Sequence, residues 1–329
     1  MIMPSGAQRW IVAIPAKDES LRIADALLAL DRAAARTDVP VCGLVYANNC
    51  RDRTAALCQS MIKSLRNLTL KVVEQDLPRH AAHAGGARRA AVMHAFDAFY
   101  AKNVDLLLST DADTRVGIDL FREMEYAFDE GADLVAAKIA CIEDPYDPCS
   151  AAALAWGLPA VVWRSRVRQL VETVRRGSVA VPALHDDYGG AGLAAPVGTY
   201  HALAGFPEIA TNEDKTLVDT ADARRYVVNR QSGAVVHVLA RSKGRAVGGM
   251  ADAIARDEIA CAENRPLFVE HHAVTIERIR RTASHAYAFA NPVTHWELAP
   301  DAIAALDRVI NSYGHRSRVA VLEGGVSAG

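Results

Sequence analysis

The 329-residue sequence lacks cysteines at metal-binding or redox spacing. Its six cysteines include no Cys-x-x-Cys pair, which argues against a zinc knuckle or a dithiol site. Three of them lie in apolar sequence and are predicted to be buried thiols rather than disulfide partners: Cys42, Cys58 and Cys141. This cysteine usage is typical of a reducing compartment.

Long apolar runs and an excess of one charge are also missing. No segment approaches the roughly 18 uninterrupted apolar residues of a membrane-spanning helix, and the first ten residues do not resemble a signal peptide. The 37 basic residues nearly balance 39 acidic ones, and the net charge of −2 gives no global reason to expect nucleic acid as a partner. We therefore expect a soluble, cytoplasmic protein without a transmembrane segment.

What the sequence does contain is a repeated alternation of short β-rich runs and helical patterns. The predicted strands are 10–14, 41–47, 70–74, 105–109 and 134–140, and the predicted helices between them are 20–36, 54–65, 86–100 and 118–130. Such alternation predicts an α/β fold with a mostly parallel sheet flanked by helices. A long helix is predicted over 151–176, and the chain after about residue 250 is predicted to be helical.

The most informative segment is 106–114, Leu-Leu-Leu-Ser-Thr-Asp-Ala-Asp-Thr. An apolar run that ends in two carboxylates is typical of a buried strand emerging at the carboxyl edge of an α/β sheet, where ligands usually bind. The oxygens of Asp111 and Asp113 would suit Mg²⁺ or Mn²⁺ together with substrate phosphates. The alternative is an exposed turn with an Asx-type cap.

Other loops add polar groups at the same predicted edge. Residues 14–20 (Ile-Pro-Ala-Lys-Asp-Glu-Ser) follow the first strand, and 47–54 (Ala-Asn-Asn-Cys-Arg-Asp-Arg-Thr) follow the second, where Asp52 and Thr54 could equally be helix caps. Gly85-Gly86-Ala-Arg88-Arg89 would allow close backbone approach, with an arginine near a diphosphate. The Gly-x-Gly-x-x-Gly dinucleotide spacing is absent.

Two later segments carry further candidates. Glu213 and Asp214 begin an amphipathic segment and could supply a general base or form a charged first helical turn. The pairs His80/His83 and His271/His272 have no matching carboxylate or cysteine cluster nearby in sequence, and we expect them to be loop residues.

The order of these motifs resembles the family 2 glycosyltransferases of the GT-A fold. The similarity covers about residues 10–248: Ile-Pro-Ala-Lys-Asp-Glu, Asn-Asn-Cys-Arg-Asp-Arg-Thr, Gly-Gly-Ala-Arg-Arg-Ala, Asp-Ala-Asp, Gly-Phe-Pro-Glu and Asn-Glu-Asp. The resemblance implies a GT-A domain over 1–248, with a nucleotide-binding half (10–140) and an acceptor half (141–248). Residues 249–329 would form a helical carboxyl-terminal extension.

The resemblance also implies a donor-binding site. Pro15, Ala16 and Glu19 would line the nucleotide pocket, and Asn49 stands where the family usually has an aspartate that reads the base. Arg88 would approach the donor phosphates. A basic loop similar to the phosphate-closing segment of these enzymes would contribute Arg241 and Arg245.

The metal and the base are implied in the same way. Asp111 and Asp113 would contact donor ribose and a Mn²⁺ or Mg²⁺ ion, with Asp113 the main metal ligand. His237 would be an additional ligand, unless it is simply a polar residue at a strand end. In inverting members the Glu-Asp motif supplies the base, so Asp214 would deprotonate the acceptor hydroxyl, with Glu213 as the fallback.

The implied function is that of a metal-dependent, inverting hexosyltransferase. It would move a sugar from a UDP- or GDP-sugar donor to a saccharide, lipid-linked or small-molecule acceptor. The absence of Gln-x-x-Arg-Trp disfavours processive synthesis. Two alternatives stay open: a non-catalytic sugar-nucleotide-binding or interaction module of the same fold, and a sugar-nucleotide pyrophosphorylase. A pyrophosphorylase would be expected to have a glycine-rich triphosphate loop where this chain has Pro-Ala-Lys-Asp-Glu.

Overall fold

The computed structural model describes residues 9–146, 151–176, 188–230, 233–241, 250–282 and 296–324. The chain forms two compact units, each discontinuous in sequence. The first consists of 1–148 with 188–252, and the second of 149–187 with 253–329. The described residues 151–176 thus group with the carboxyl-terminal segment, although the sequence predicts them in the acceptor half.

The described elements alternate strand and helix through most of the first unit. The strands are β1 (Trp10–Ala16), β2 (Val41–Ala47), β3 (Leu68–Glu74), β4 (Leu106–Ser109), β5 (Arg115–Val116), β6 (Leu134–Ala136), β7 (Lys138–Glu143), β8 (Leu193–Pro196), β9 (Val228–Asn229), β10 (Val235–Ala240), β11 (Phe268–Glu270) and β12 (Trp296–Leu298). The helices are α1 (Ile23–Ala34), α2 (Thr54–Met61), α3 (Ala84–Phe99), α4 (Leu120–Asp129), α5 (Ala151–Arg176), α6 (Val197–Ala202), α7 (Glu213–Ala223), α8 (Met250–Ala262), α9 (His272–Thr282) and α10 (Ala299–Gly324). Short 3₁₀ turns cover Ile62–Ser64 and Gly190–Gly192.

The first unit is built on a seven-stranded sheet in the order β3-β2-β1-β4-β8-β6-β9. Its pairs are parallel except that β8 runs antiparallel to both β4 and β6. A three-stranded sheet has the order β5-β10-β7. The chain passes from the first sheet to the second at Ala137, whose N–H donates to the carbonyl of Gly192 at 2.8 Å. The predicted α/β fold with a mostly parallel sheet is confirmed.

The central strand β1 is apolar because both of its faces are buried. Trp10, Val12 and Ile14 pack into one hydrophobic cluster, which includes helix α1. Ile11 and Ala13 pack into a second cluster, which includes helix α3. Successive side chains of a strand point to opposite faces, so a strand covered by helices on both sides reads as a continuous apolar run.

Strand β1 extends through Pro15, two residues beyond its predicted end. The carbonyl of Ala13 accepts from Thr110 on the β4 side of the sheet, and residue 15 faces the same side because it is two positions along. The pairing of β1 with β4 ends at Ala13 and Ser109. The missing N–H of Pro15 therefore lies beyond the last pairing of β1 with β4. For this reason a proline is tolerated here, although β1 is a central strand.

The second unit has its own apolar core. Helix α5 contributes Trp163, Val167, Leu170 and Val171, which cluster with Ile276 and Ile279 of α9 and with Ala302 and Leu306 of α10. This apolar stripe explains why α5 groups with the carboxyl-terminal helices. Strands β11 and β12 form an antiparallel pair in the same unit. Within the described ranges, none of the helices combines the length and apolarity that crossing a bilayer requires.

The three cysteines that were predicted to be buried differ in their exposure. Burial is confirmed for Cys58 on α2, and Cys42 on β2 is half-buried. It is wrong for Cys141, which is exposed. Cys141 lies on β7, an edge strand of the three-stranded sheet, and every residue of this strand is exposed or half-buried.

Candidate functional site

The loops that follow β1 and β2 are tied to each other by hydrogen bonds. The Asp18 carboxylate accepts from the Arg51 N–H at 2.6 Å, and the Thr54 hydroxyl accepts from the Glu19 N–H at 2.8 Å. Asp52 accepts from the N–H of Ser20 at 3.0 Å and from that of Thr54 at 2.9 Å, at the start of α2. Asp52 and Thr54 therefore link the two loops. Neither is the N-cap of α2, which is Arg53 and makes no side-chain capping bond.

The predicted nucleotide-pocket residues lie at this edge of the sheet. Pro15 and Ala16 end β1, and the Ala16 carbonyl accepts from the backbone and side-chain N–H groups of Asn48 at 2.9 and 3.1 Å. Asn49 has a left-handed backbone with φ of 49°. Its amide both donates to and accepts from the Leu77 backbone, at 3.2 Å each way. Asn49 thus fixes the chain after β3, and its role at the base stays a prediction.

Arg88 of α3 is buried at the centre of a polar network. Its Nε donates to Glu213 at 2.9 Å, and its Nη1 donates to the Ser109 hydroxyl at 3.0 Å and to the Gly190 carbonyl at 2.8 Å. Its Nη2 lies 2.9 Å from the Asp111 carboxylate. Burial alone would lower the pKa of this guanidinium, but Asp111 and Glu213 outweigh burial and raise it. The predicted phosphate ligand thus links the Asp-Ala-Asp and Glu-Asp motifs.

The two glycines in the first turn of α3 allow a close approach, but to the chain's own backbone. A Cβ on Gly85 would lie 2.3 Å from the Ile209 carbonyl oxygen, and a Cβ on Gly86 would lie 2.2 Å from that of Ala81. The Gly86 N–H also donates to Nδ1 of His83 at 3.1 Å, which caps the helix. The glycine pair therefore lets α3 pack closely against these backbone segments, and Arg88 lies one turn further along the helix.

Asp113 is buried and is held by Arg241, the residue that follows β10. Arg241 Nη2 lies 2.8 Å from Asp113 Oδ2 and 3.3 Å from Glu19 Oε1. Glu19 lies 3.7 Å from Arg22, which in turn contacts Asp144 at 2.8 Å. Burial, together with the charges of Glu19 and Asp111, raises the pKa of Asp113 to about 6, although Arg241 opposes this shift.

The predicted base motif begins helix α7. Glu213 is buried and is paired with Arg88. Asp214 is half-buried, and its two carboxylate oxygens accept from the Gly190 N–H at 2.8 Å and from the Lys215 N–H at 2.7 Å. Asp214 is therefore the more accessible carboxylate of the two, while Glu213 is committed to an ion pair.

The predicted metal ligands are close in the fold but do not form a compact cluster. His237 lies on β10 opposite Arg115 of β5, and its Nδ1 is 3.2 Å from the Arg115 carbonyl oxygen. In the described part of the chain, two groups of three ligand atoms come within 4.8 Å of one another, and neither includes Asp111, Asp113 or His237. The carboxylate oxygens suit Mg²⁺ or Mn²⁺ chemically, while guanidinium groups are their present partners.

One of the two clusters corrects an expectation about the histidines. Glu297 lies beside the His271/His272 pair, and its carboxylate is 2.7 Å from His272 Nδ1. Burial would raise the pKa of Glu297, but the hydrogen bonds from His272 outweigh burial and lower it. His271 is a loop residue as expected, but the expectation is wrong for His272, which begins α9. β12 brings Glu297 to this pair from 25 residues away, a contact that the local sequence does not show.

Some residues of the site were not predicted from the sequence, and one predicted residue lies outside the described ranges. Arg245 belongs to 242–249, which is not among the described residues. Ser109, Arg22 and Asp144 were not predicted. Arg22 carried a local signal, because it lies three residues after Glu19 and can pair with it on a helical turn. Ser109 and Asp144 had none, since only the fold brings them to Arg88 and Arg22.

No protein-family model and no curated protein matches the sequence. Solved structures do match. The mannosyltransferase PcManGT from Pyrobaculum calidifontis, in complex with GDP-Man and Mn²⁺, is 18% identical with a TM-score of 0.50, and the match covers 99% of this chain and 81% of that one. The chain has a GT-A-type glycosyltransferase fold.

Two further solved structures that match this chain belong to longer chains. GalNAc-T7, in complex with UDP, GalNAc and Mn²⁺, is 11% identical with a TM-score of 0.50, and the match covers 79% of this chain and 48% of that one. TarS from S. aureus is 14% identical with a TM-score of 0.46, and the match covers 70% of this chain and 36% of that one. The chain thus spans about half of GalNAc-T7 and about a third of TarS.

Proposed function

We propose that this protein transfers a sugar from a nucleoside diphosphate donor to a hydroxyl group of an acceptor, with inversion and without processivity. The supporting observation is the convergence of Glu19, Asp111, Asp113, Asp214 and Arg241 beside the carboxyl ends of β1 and β4. Ligands of open α/β sheets bind at such an edge. The ligands in the PcManGT and GalNAc-T7 structures, GDP-Man or UDP with Mn²⁺, agree with this donor class.

The donor pocket in this proposal is the edge formed by Pro15, Ala16 and Glu19, with Asn49 on the base side. Asp111 and Asp113, with His237 as a further ligand, would hold a Mn²⁺ or Mg²⁺ ion. When bound, this ion would stabilise the negative charge of the leaving diphosphate. Arg241, and Arg245 beyond the described residues, would bind the phosphates. A family 2-like hexosyl transfer is the specific reaction that we propose.

Asp214 is the proposed general base. A base must reach the acceptor hydroxyl, so an accessible carboxylate with a fixed orientation is required. The hydrogen bond from the Gly190 N–H fixes Asp214, whose carboxylate remains half-exposed. Glu213 is less suitable because taking up a proton would break its buried pair with Arg88. Arg88 is then a positioning residue that aligns both acidic motifs.

Nucleotide binding and donor hydrolysis test this function. We expect UDP or GDP with Mn²⁺ to raise the melting temperature, since a ligand of the native state stabilises it by mass action. The corresponding UDP- or GDP-sugar should be hydrolysed slowly to the nucleoside diphosphate. Asp113→Ala should abolish hydrolysis, and Asp214→Asn should lower acceptor transfer while nucleotide binding persists.

Asp129→Ala is the matched control, because this aspartate is exposed at the end of α4. It should leave both measurements unchanged. Tight nucleotide binding without turnover over a broad acceptor screen would favour a non-catalytic binding module. If no nucleoside diphosphate shifted the melting temperature, the proposed function would be wrong.

A further inference from the structure

Arg241 occupies the position between two buried carboxylates that a cation would take. A single nitrogen, Nη2, lies 2.8 Å from Asp113 and 3.3 Å from Glu19. The Asp113 and Glu19 side chains are only 9% and 5% exposed, so water screens their charges poorly. A buried carboxylate needs a positive partner, and here the chain itself provides one.

Several carboxylates and guanidinium groups of the described residues surround this position. Arg241 and Arg22 face three carboxylates, those of Glu19, Asp113 and Asp144. The neighbouring Arg88 faces two, those of Asp111 and Glu213. Five carboxylates thus converge in these two groups, and such hard oxygen ligands suit a divalent cation, although Asp113 is already paired with Arg241.

The other two guanidinium groups are held more firmly than Arg241. Arg22 contacts Asp144 through both Nε and Nη2 at 2.8 Å. Arg88 combines two ion pairs with hydrogen bonds to Ser109 and the Gly190 carbonyl. Arg241 reaches its two carboxylates through Nη2, from a position just beyond the last residue of β10. Among the contacts of the described residues, Arg241 has the least extensive set of the three, so it can be exchanged with least disruption.

We propose that Arg241 is a resident counter-ion that competes with the divalent metal for Asp113 and leaves when the donor diphosphate offers its guanidinium a new anionic partner. This inference rests on the proposed function, because it describes how the same site fills. The exchange keeps Asp113 neutralised at every stage, and a diphosphate is a strong partner for arginine. Metal and nucleoside diphosphate should then bind cooperatively, each weakly by itself.

Direct Mn²⁺ binding tests the competition without turnover. Titration calorimetry or the free-ion paramagnetic resonance signal would measure Mn²⁺ affinity with and without UDP or GDP. In the absence of nucleotide, Arg241→Gln should bind Mn²⁺ more tightly than wild type, on the order of tenfold for a typical coupling. The increase in Mn²⁺ affinity caused by nucleotide should shrink in this variant. Arg241→Lys keeps the charge and should stay close to wild type.

Two controls make the result specific. Arg36→Gln removes the same charge from an exposed ion pair with Asp119 and should leave Mn²⁺ affinity unchanged. Adding Asp113→Asn to Arg241→Gln should remove the gain, since the gain depends on that carboxylate. Circular dichroism would establish that each variant is folded.

The outcomes separate this inference from the function on which it rests. Unchanged or weaker Mn²⁺ binding by folded Arg241→Gln, or a gain that survives Asp113→Asn, would overturn the counter-ion role. So would a failure of both wild type and Arg241→Gln to bind Mn²⁺. A gain in nucleotide-free Arg241→Gln supports the competition even if neither UDP nor GDP binds, and that second result would count against the proposed function alone.

Discussion

At the residue scale, Arg88 is the side chain on which the buried polar network depends. Arg88→Met keeps the length of the side chain but leaves Glu213 buried without its cation. We expect a loss of about 3–5 kcal/mol in the free energy of unfolding, as for other broken buried pairs. Denaturant unfolding would measure it.

The adjacent Arg89 is the matched control. It is partly exposed and donates to the carbonyls of Ala204 and Phe206 at 3.0 and 2.8 Å. Arg89→Met removes these hydrogen bonds and an exposed ion pair with Glu208 at 3.4 Å, and because Arg89 itself is partly exposed the loss should be no more than about 1.5 kcal/mol. Equal losses for the two variants would contradict the special role of Arg88.

Asp52 should make stability depend on pH in the acid range. Burial raises its pKa, but hydrogen bonds from Thr54 and Ser20 outweigh burial and lower the pKa from 3.8 to about 2. Because the folded pKa is depressed, the stabilisation is present above about pH 4 and is lost as pH falls through about 2. Asp52 is exposed, so after discounting for screening we expect Asp52→Asn to cost roughly 1 kcal/mol at pH 7.

Unfolding free energies of wild type and Asp52→Asn at pH 7 and near pH 2 would check this. The difference between the two proteins should shrink at the lower pH, whereas Asp129→Asn should behave like wild type at both. A difference that stayed constant with pH would show that the carboxylate charge is not what stabilises the loops.

The candidate site residues stand out in the sequence, whereas their contacts do not. Asp111 and Asp113 stand out because an apolar run precedes them, and Glu213-Asp214 because a helical pattern follows. Their partners did not stand out. Glu213 meets Arg88 from 125 positions away, and Arg241 meets Glu19 from 222 positions away. No local pattern encodes such pairs, since they form only when the sheet assembles.

At the scale of elements, the Gly190–Gly192 turn is the tightest point of the site. A Cβ on Gly190 would lie 2.1 Å from Arg88 Cζ, and Arg88 is too firmly held to move aside. We expect Gly190→Ala to destabilise the protein by roughly 1–3 kcal/mol, as overpacking usually does. It should also lower donor hydrolysis. Thermal unfolding and the hydrolysis assay would measure the two effects.

Gly189 provides the comparison for Gly190. Its Cβ would lie 3.2 Å from Asp214 Oδ2 and 3.3 Å from Ile139, contacts that small shifts can relieve. Gly189→Ala should therefore unfold close to wild type. Similar losses at both glycines would mean that the turn is rigid as a whole and that Arg88 is not the cause.

Elements that are identified by their buried apolar residues could be predicted from the sequence. Strands that are identified only by pairing with a distant strand could not. β2 and α5 match their predicted bounds, 41–47 and 151–176. The predicted strand 134–140 is divided between β6 and β7, because Ala137 bonds to Gly192 and the chain changes sheets there. β8 was not predicted. Its Leu-Ala-Ala-Pro sequence has weak β-propensity, and its position between β4 and β6 makes it a strand.

At the scale of the whole molecule, the backbone amides of the large sheet should be the best protected against hydrogen exchange. Trp10, Ile11 and Val12 of β1 are 0% exposed, and β1 pairs on both sides. The pair β11–β12 has only two strands, an arrangement with little stability of its own. Hydrogen exchange followed by mass spectrometry should find slower exchange in 10–16 than in 268–270 and 296–298. Equal rates in these segments would contradict the ranking.

The fold class could be read from the sequence because the strand–helix alternation runs regularly from Trp10 to Asp129. The composition of the two units could not, since each joins segments that are distant in the chain. The apolar stripe of α5 predicts that one face of the helix is buried, but it does not show which residues bury that face. Only packing against Ile276 and Leu306 identifies it.

The position of β8 has a consequence for how this chain folds as it is synthesised. β8 lies in the middle of the large sheet, yet it is made more than fifty residues after β6. Until residue 196 leaves the ribosome, β4 and β6 lack their shared neighbour and present open edges to other chains. Nascent chains that end before residue 193 should therefore need chaperones, and extension by the few residues of β8 should release them.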